Sequence, residues 1–178
     1  LVEHDSTLEI FLVAPTWVVA AVEPWPPRVR PVGVTVRRGN LGKLWFEQVA
    51  FPGVCRRLGV DLAHVPYFAP PLRPGVPTLV TIHDLIPLVL PEYRGGAAVR
   101  LYTALVATAA RNAALVLSDS QASRRDILAH LRLPAEGVRV IYLAHAPQYR
   151  PVTDTRALES VRQKYALPER FVLWLSGF

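Results

Sequence analysis

Short runs of β-branched and aliphatic residues recur along the chain and alternate with segments of helical spacing. Such short, nearly unbroken runs are typical of strands buried on both faces of a parallel sheet. Strands that alternate with helices favour an α/β protein with a doubly wound, mostly parallel, Rossmann-like sheet. We predict strands over 8–14, 31–36, 61–65, 78–83, 114–118, 138–143 and 171–175, and helices over 41–59, 97–112, 120–131 and 155–166.

Proline interrupts this pattern in two places. Residues 15–31 are rich in proline and tryptophan and are predicted to be irregular. Pro52 lies inside the helical pattern over 41–59 and is expected to kink or break that helix. In the helix over 97–112, the spacing predicts that Leu101, Leu105 and Val106 face inward and Arg100 faces outward.

Composition limits the class of protein. The chain has 178 residues, of which 51% are hydrophobic and 19% charged, so it can bury one sizeable core. The longest apolar stretch, 10–22, is broken by Pro15 and is too short to span a bilayer. A single cysteine, Cys55, excludes an internal disulfide and argues against a cysteine-based metal site. We therefore expect a cytoplasmic protein.

The net charge of +6 comes almost entirely from arginine, since only Lys43 and Lys164 are lysines. Arginine suits two-pronged contacts with phosphate or carboxylate. The basic residues are scattered and do not alternate with aromatic residues, which argues against a nucleic-acid partner. An anionic sugar, nucleotide or lipid head group fits this charge better.

A titratable pair stands at the end of one predicted strand. The run over 78–82 follows a proline-rich turn and leads into His83 and Asp84. Ligands of open α/β sheets bind just beyond the carboxyl ends of strands, so we expect this pair to face a crevice. His83 can hydrogen-bond a substrate hydroxyl or act as a general base; alternatively, its ring ties the loop to a backbone carbonyl. Asp84 adds a second functional group or bonds loop amides.

A second polar group follows the strand over 114–118. Ser120, Ser123 and Arg124 lie where the next helix begins, and the first turn of a helix offers free amides to an anion. The alternative is helix capping by Ser120 or Ser123, where Ser123 and Asp126 offer a capping box, with the arginines in solvent.

Glu47 is the third candidate, as a residue that contacts an acceptor. It lies next to Gln48 in the first predicted helix, where the alternative is a half-exposed helical pair. The histidines and acidic residues have no metal-ligand spacing, and no glycine-rich dinucleotide or phosphate-binding loop follows a strand.

These motifs together resemble the retaining glycosyltransferases of family four, the mannosyltransferase-like group, over nearly the whole chain. The most distinctive segment is the "HD" pair, His83 and Asp84, within Val80–Pro87. The glycine-rich turn after the family's first strand has no counterpart here. The other segments that carry the resemblance are 44–48 with Pro52, 118–127, 140–143 with 149–151, and 171–178.

The resemblance implies a two-domain GT-B enzyme with its site in the cleft between two Rossmann-like halves. Residues 1–168 would form the acceptor-binding half, lacking its first strand and helix. Residues 169–178 would be the opening strand of a second domain that binds most of the nucleotide sugar. On this basis the fragment alone is expected to be inactive.

The implied reaction, in polysaccharide biosynthesis, is transfer of a sugar such as mannose from a nucleotide sugar to a hydroxyl of a glycan or lipid-linked acceptor. The configuration at the anomeric carbon is retained, and we predict no metal or other cofactor. The resemblance places His83 and Asp84 in the catalytic site, close to the reacting sugar and the acceptor. It places Ser120 at the start of a helix that faces the same cleft.

Two alternatives stay open. The chain could be a non-catalytic Rossmann module that binds a sugar phosphate, or that docks on the inner face of a membrane through Arg94, Arg100 and Arg111. It could also belong to an epimerase or phosphorylase with the same two-domain plan.

Overall fold

Parallel strands form two hydrogen-bonded sheets in the computed structural model, which describes residues 5–22, 24–146 and 148–174. Every pair of neighbouring strands in these sheets is parallel. This confirms the predicted α/β class with a parallel, Rossmann-like arrangement. The smaller sheet pairs β1 (Ile10–Pro15) with β2 (Val29–Val34), and the larger has the order β3 (Ala63–Val65), β4 (Thr78–Thr81), β5 (Leu115–Ser118) and β6 (Val138–Val140).

Helices connect these strands much as the sequence pattern predicts. They are α1 (Thr16–Val19), α2 (Asn40–Trp45), α3 (Phe51–Leu58), α4 (Ile86–Val89), α5 (Ala97–Ala109), α6 (Gln121–Leu131) and α7 (Thr155–Lys164). Short 3-10 turns lie at Pro91–Tyr93, Ala110–Asn112 and Ala135–Gly137.

The irregularity expected at Pro52 is a π-helical turn. Residues Phe46–Ala50 adopt π geometry between α2 and α3, directly before Pro52. Proline cannot donate a backbone hydrogen bond, and its ring crowds the carbonyl four residues earlier, here that of Gln48. A wider turn at that point lets one helical segment continue from α2 into α3.

The core lies between the larger sheet and its helices. Val80 and Ile82 are fully buried, and Ile127 and Leu131 of α6 pack in the same cluster. The other buried members are Val65, Leu85, Ala110, Val116 and Val138. Because Ile82 and Leu85 flank His83 and Asp84, the core anchors both sides of the predicted site.

Three local predictions need correction. Residues 15–31 contain α1 and the start of β2, so they are not wholly irregular. Leu101 is 75% exposed, because α5 turns Thr103, Val106 and Ala109 inward instead. Residues 171–174 form no strand, and Leu175 lies outside the described residues.

The chain divides into two compact units, one ending at Tyr142 and the other beginning at Leu143. The first contains both sheets, and the second contains α7, whose N-cap Asp154 accepts a hydrogen bond from the backbone of Arg156. Within the described residues, no helix combines the length and the apolar character needed to cross a bilayer.

Candidate functional site

The loop after β4 presents His83 and Asp84 at the surface. Ile82 and Leu85 on either side are 0% and 1% exposed, whereas His83 and Asp84 are both exposed. The backbone N–H of Ile82 donates to the carbonyl of Leu117, so the ladder to β5 continues one residue past the strand. Two buried apolar anchors thus hold the polar pair at the carboxyl edge of the larger sheet.

Groups from the two neighbouring strand ends hold the His83 ring. Nδ1 lies 3.1 Å from Oδ2 of Asp119, which follows β5, and Nε2 lies 3.2 Å from the carbonyl oxygen of Pro66, which follows β3. Both partners are acceptors, so the neutral ring can donate to one of them and the doubly protonated ring to both. The His83 side chain is nevertheless 51% exposed, so the ring is oriented and still accessible.

Two serines fix the backbone beneath this ring. The Ser120 hydroxyl caps α6 by accepting a hydrogen bond from the backbone N–H of Ser123. It donates to the Ser123 hydroxyl at 2.9 Å, which in turn donates to the carbonyl oxygen of His83 at 2.6 Å. The helix is therefore capped by Ser120, which confirms the capping alternative for that residue, whereas the capping box led by Ser123 is wrong.

Asp84 holds the loop in which it lies. Its Oδ1 accepts a hydrogen bond from the backbone N–H of Ile86 at 3.0 Å, the arrangement that favours Asp in turns. Its side chain remains exposed beside His83.

Arg124 does not join this group, which corrects the expectation of an anion site built from Ser120, Ser123 and Arg124. Its Nε donates to the carbonyl of Val138 and its Nη2 to that of Ala135. These bonds tie α6 to the segment that enters β6, so the guanidinium has a structural role.

Glu47 is buried, which shows that the alternative of a half-exposed helical pair is wrong. Its side chain is 1% exposed and accepts hydrogen bonds from the hydroxyls of Tyr102, at 2.8 Å, and Tyr67, at 3.1 Å. The ammonium group of Lys43, one helical turn away, lies 3.8 Å from the Glu47 carboxylate and 4.9 Å from the centre of the Tyr102 ring. Gln48 bonds the loop instead, through the carbonyl of Pro70 and the N–H of Leu72.

This environment changes the acidity of both tyrosines. Burial raises the pKa of Tyr67 and Tyr102, and the neighbouring Glu47 carboxylate raises both further. Both hydroxyls therefore stay protonated and keep donating to Glu47 throughout the neutral range.

Sequence reasoning missed Asp119, Pro66 and the two tyrosines. Asp119 had a usable signal, because polar residues at the carboxyl ends of two paired strands lie at the same edge of a sheet. Tyr67 and Tyr102 had none, since they lie 20 and 55 residues from Glu47.

Side chains that could bind a metal and the arginines of α5 were also considered in the sequence, and the structure shows where they lie. In the described residues, no three histidine, cysteine or acidic side chains lie together as a metal site would need. Along α5, Arg100 is exposed, but Nε of Arg111 donates to the carbonyl of Leu131, so Arg111 is tied to the end of α6.

Polar side chains converge at the carboxyl edge of this parallel sheet, which is the edge where ligands of open α/β sheets generally bind. The sequence profile of Glycosyltransferase Family 4 matches residues 5–145, which is well over half of the chain. The chain therefore belongs to glycosyltransferase family 4, and its general role is that of a glycosyltransferase domain. The comparison with curated proteins gave no match.

Proposed function

We propose that the chain is the acceptor-binding half of a retaining GT-B glycosyltransferase. The enzyme would transfer a hexose such as mannose from a nucleotide sugar to a hydroxyl of a glycan or lipid-linked acceptor. A second domain would bind most of the nucleotide sugar. The observation that carries this proposal is the accessible His83 ring, oriented by Asp119 and Pro66 at the carboxyl edge of a family 4 domain.

In the proposed reaction, the bond between the anomeric carbon and the diphosphate oxygen breaks, and a bond from that carbon to the acceptor oxygen forms. The acceptor's proton leaves with the diphosphate. The transition state resembles an oxocarbenium ion, which fixed charges and dipoles stabilise. This chain's contribution would be to place the acceptor hydroxyl and the sugar relative to each other.

His83 would make the contact with the substrate. Nε2 would exchange its 3.2 Å contact with Pro66 for a hydroxyl of the sugar or the acceptor, while Nδ1 stays on Asp119. Asp119, Ser120 and Ser123 would act as positioning residues, because they touch the ring or its backbone. Asp84 would hold the loop through its bond to Ile86.

The test is to incubate the full-length protein with GDP-mannose, UDP-glucose and related nucleotide sugars, alone and with glycan and lipid-linked acceptors, and to measure released nucleotide diphosphate. We expect release of nucleotide diphosphate from one donor, and a product that has the same anomeric configuration as that donor. An inverted product would contradict the retaining mechanism. Absence of release from every donor in the presence of acceptors would contradict the transferase proposal.

A further inference from the structure

A cavity of about 260 Å³ lies at the carboxyl end of the smaller sheet. Trp17 enters it from α1 directly after β1, Arg37 and Arg38 from the segment after β2, Lys43 from α2, and Tyr67 from the segment after β3. His83 is not among the lining residues, although its Nε2 contacts the carbonyl of Pro66, the neighbour of Tyr67 in the chain. The cavity therefore adjoins the His83 site without being part of it.

The cavity wall is positively charged. It carries Arg37, Arg38 and Lys43, and none of the described residues that line it is acidic. Among the described residues, neither arginine forms a salt bridge; Arg38 lies instead over the Trp17 ring, 5.5 Å from its centre. The planar guanidinium group of an arginine can donate two parallel hydrogen bonds to the oxygens of a phosphate group.

Buried groups hold the third cation in place. Lys43 lies 3.8 Å from the Glu47 carboxylate, which is itself fixed by Tyr67 and Tyr102. The Glu47 carboxylate thus neutralises at most one of the three cationic side chains, so the cavity keeps a net positive charge. Glu47 has the position of a residue that orients Lys43, and it does not line the cavity itself.

The backbone carbonyl of Arg37 lies against Gly42 of α2, and Gly39 is the N-cap of that helix. Gly39 has a φ of +99°, a conformation that favours glycine, and its carbonyl accepts a hydrogen bond from the N–H of Lys43. A Cβ at Gly42 would overlap the carbonyl oxygen of Arg37. A segment held in this way loses little conformational entropy when a ligand binds.

We propose that this cavity binds a phosphate group carried by the sugar acceptor. The inference rests on the proposed function and adds the class of acceptor, a phosphorylated or phosphate-linked glycan. Three cations suit a dianion better than a single carboxylate, and Trp17 and Tyr67 provide faces for the attached sugar. The volume lies just below the range of about 300–1,000 Å³ typical of drug-sized ligands, which suits one sugar phosphate.

The experiment follows the indole N–H resonance of Trp17 in the full-length protein, assigned with Trp17→Phe. The probes are glucose 6-phosphate, inorganic phosphate, glucuronate and glucose. A phosphate that pairs with Arg38 draws the guanidinium from the indole ring, so we expect a saturable shift with glucose 6-phosphate and none with glucose. Because this readout is local, phosphate bound elsewhere in the protein does not contribute to it.

The test variant is Arg37→Ala with Arg38→Ala, and the matched control is Arg57→Ala with Arg139→Ala, which removes the same charge from two exposed sites. We expect the test variant to weaken binding about tenfold or more, since it removes charge-assisted hydrogen bonds, and the control to leave it within about twofold. Lys43→Gln is a second test variant should the first fail to fold.

Each alternative has its own outcome. Equal binding of inorganic phosphate would overturn the acceptor assignment, and equal binding of glucuronate would overturn the preference for phosphate. Consumption of a nucleotide sugar without any Trp17 shift would overturn the cavity assignment alone. A shift without sugar transfer would contradict the proposed function and leave the anion site standing.

Discussion

Replacing Tyr102 with phenylalanine removes one of two hydroxyls that satisfy a buried carboxylate. The bond to Glu47 is 2.8 Å long, and the Glu47 side chain is 1% exposed, so water cannot replace the lost donor. A hydrogen bond to a charged group contributes about 1.5–3 kcal/mol, and the burial of its partner puts this one at about 2–3 kcal/mol. For a chain of this length, that corresponds to a melting temperature lower by roughly 4–12 °C.

Urea unfolding of the wild type and the variant measures this difference in the free energy of unfolding. Tyr67→Phe should cost less, about 1–2 kcal/mol, because its bond is 3.1 Å long and the same carboxylate oxygen also has Lys43 nearby. Tyr142→Phe is the matched control: the residue is 67% exposed, and among the described residues its hydroxyl only accepts a 3.4 Å contact from Gln121, so the change should stay within about 0.5 kcal/mol. Equal losses for Tyr102→Phe and Tyr142→Phe would refute the reasoning.

The same cluster predicts how stability depends on alkaline pH. Burial and the Glu47 carboxylate raise the pKa of Tyr67 and Tyr102, so the folded protein holds these two protons more tightly than the unfolded chain. Their contribution is complete below the ordinary tyrosine value of about 10 and is lost as the pH rises above it. Urea unfolding between pH 8 and 11 should show this fall, and it should be smaller in Tyr102→Phe.

Three further predictions concern packing, reactivity and ring orientation. Gly42→Ala should destabilise the fold by about 1–3 kcal/mol, because its Cβ would overlap the Arg37 carbonyl. Gly53→Ala in α3 has open space around the added Cβ and should stabilise the fold by about 0.5–1 kcal/mol. Equal losses of the free energy of unfolding for the two variants in urea would contradict this. Burial raises the pKa of the Cys55 thiol, so a thiol reagent at pH 8 should react with it only after unfolding, and rapid reaction with the folded protein would contradict its burial. Asp119→Asn should lower kcat about tenfold or more with little effect on folding, because it removes the charge that orients the His83 ring. An unchanged kcat would show that this contact does not position the ring.

Strand and helix types could be predicted well from local pattern. The aliphatic runs that became β4 and β5 are recognisable because both faces of a central strand must be apolar. The carboxyl-edge rule then placed His83 and Asp84 at the surface, where the structure has them. The partner Asp119 depends on the pairing of β4 with β5, which a local pattern does not contain.

Burial of polar residues was harder to predict, because long-range contacts decide it. Glu47 follows Phe46 in a helix and has no local feature that indicates burial. It is covered because Tyr67 and Tyr102, distant in sequence, bring their hydroxyls to it. Arg124 likewise resembles a solvent-facing residue until the carbonyls of Ala135 and Val138 are placed beside it.

The central claim is that the accessible His83 ring takes part in sugar transfer. The most direct measurement is kcat of full-length His83→Ala on the donor that the wild type consumes, with His130→Ala, an exposed histidine near the end of α6, as the matched control. We expect kcat to fall on the order of 100-fold in His83→Ala, with the melting temperature little changed, and to stay near wild type in the control. Wild-type kcat in a folded His83→Ala protein would contradict the assignment of this edge of the sheet as the active site.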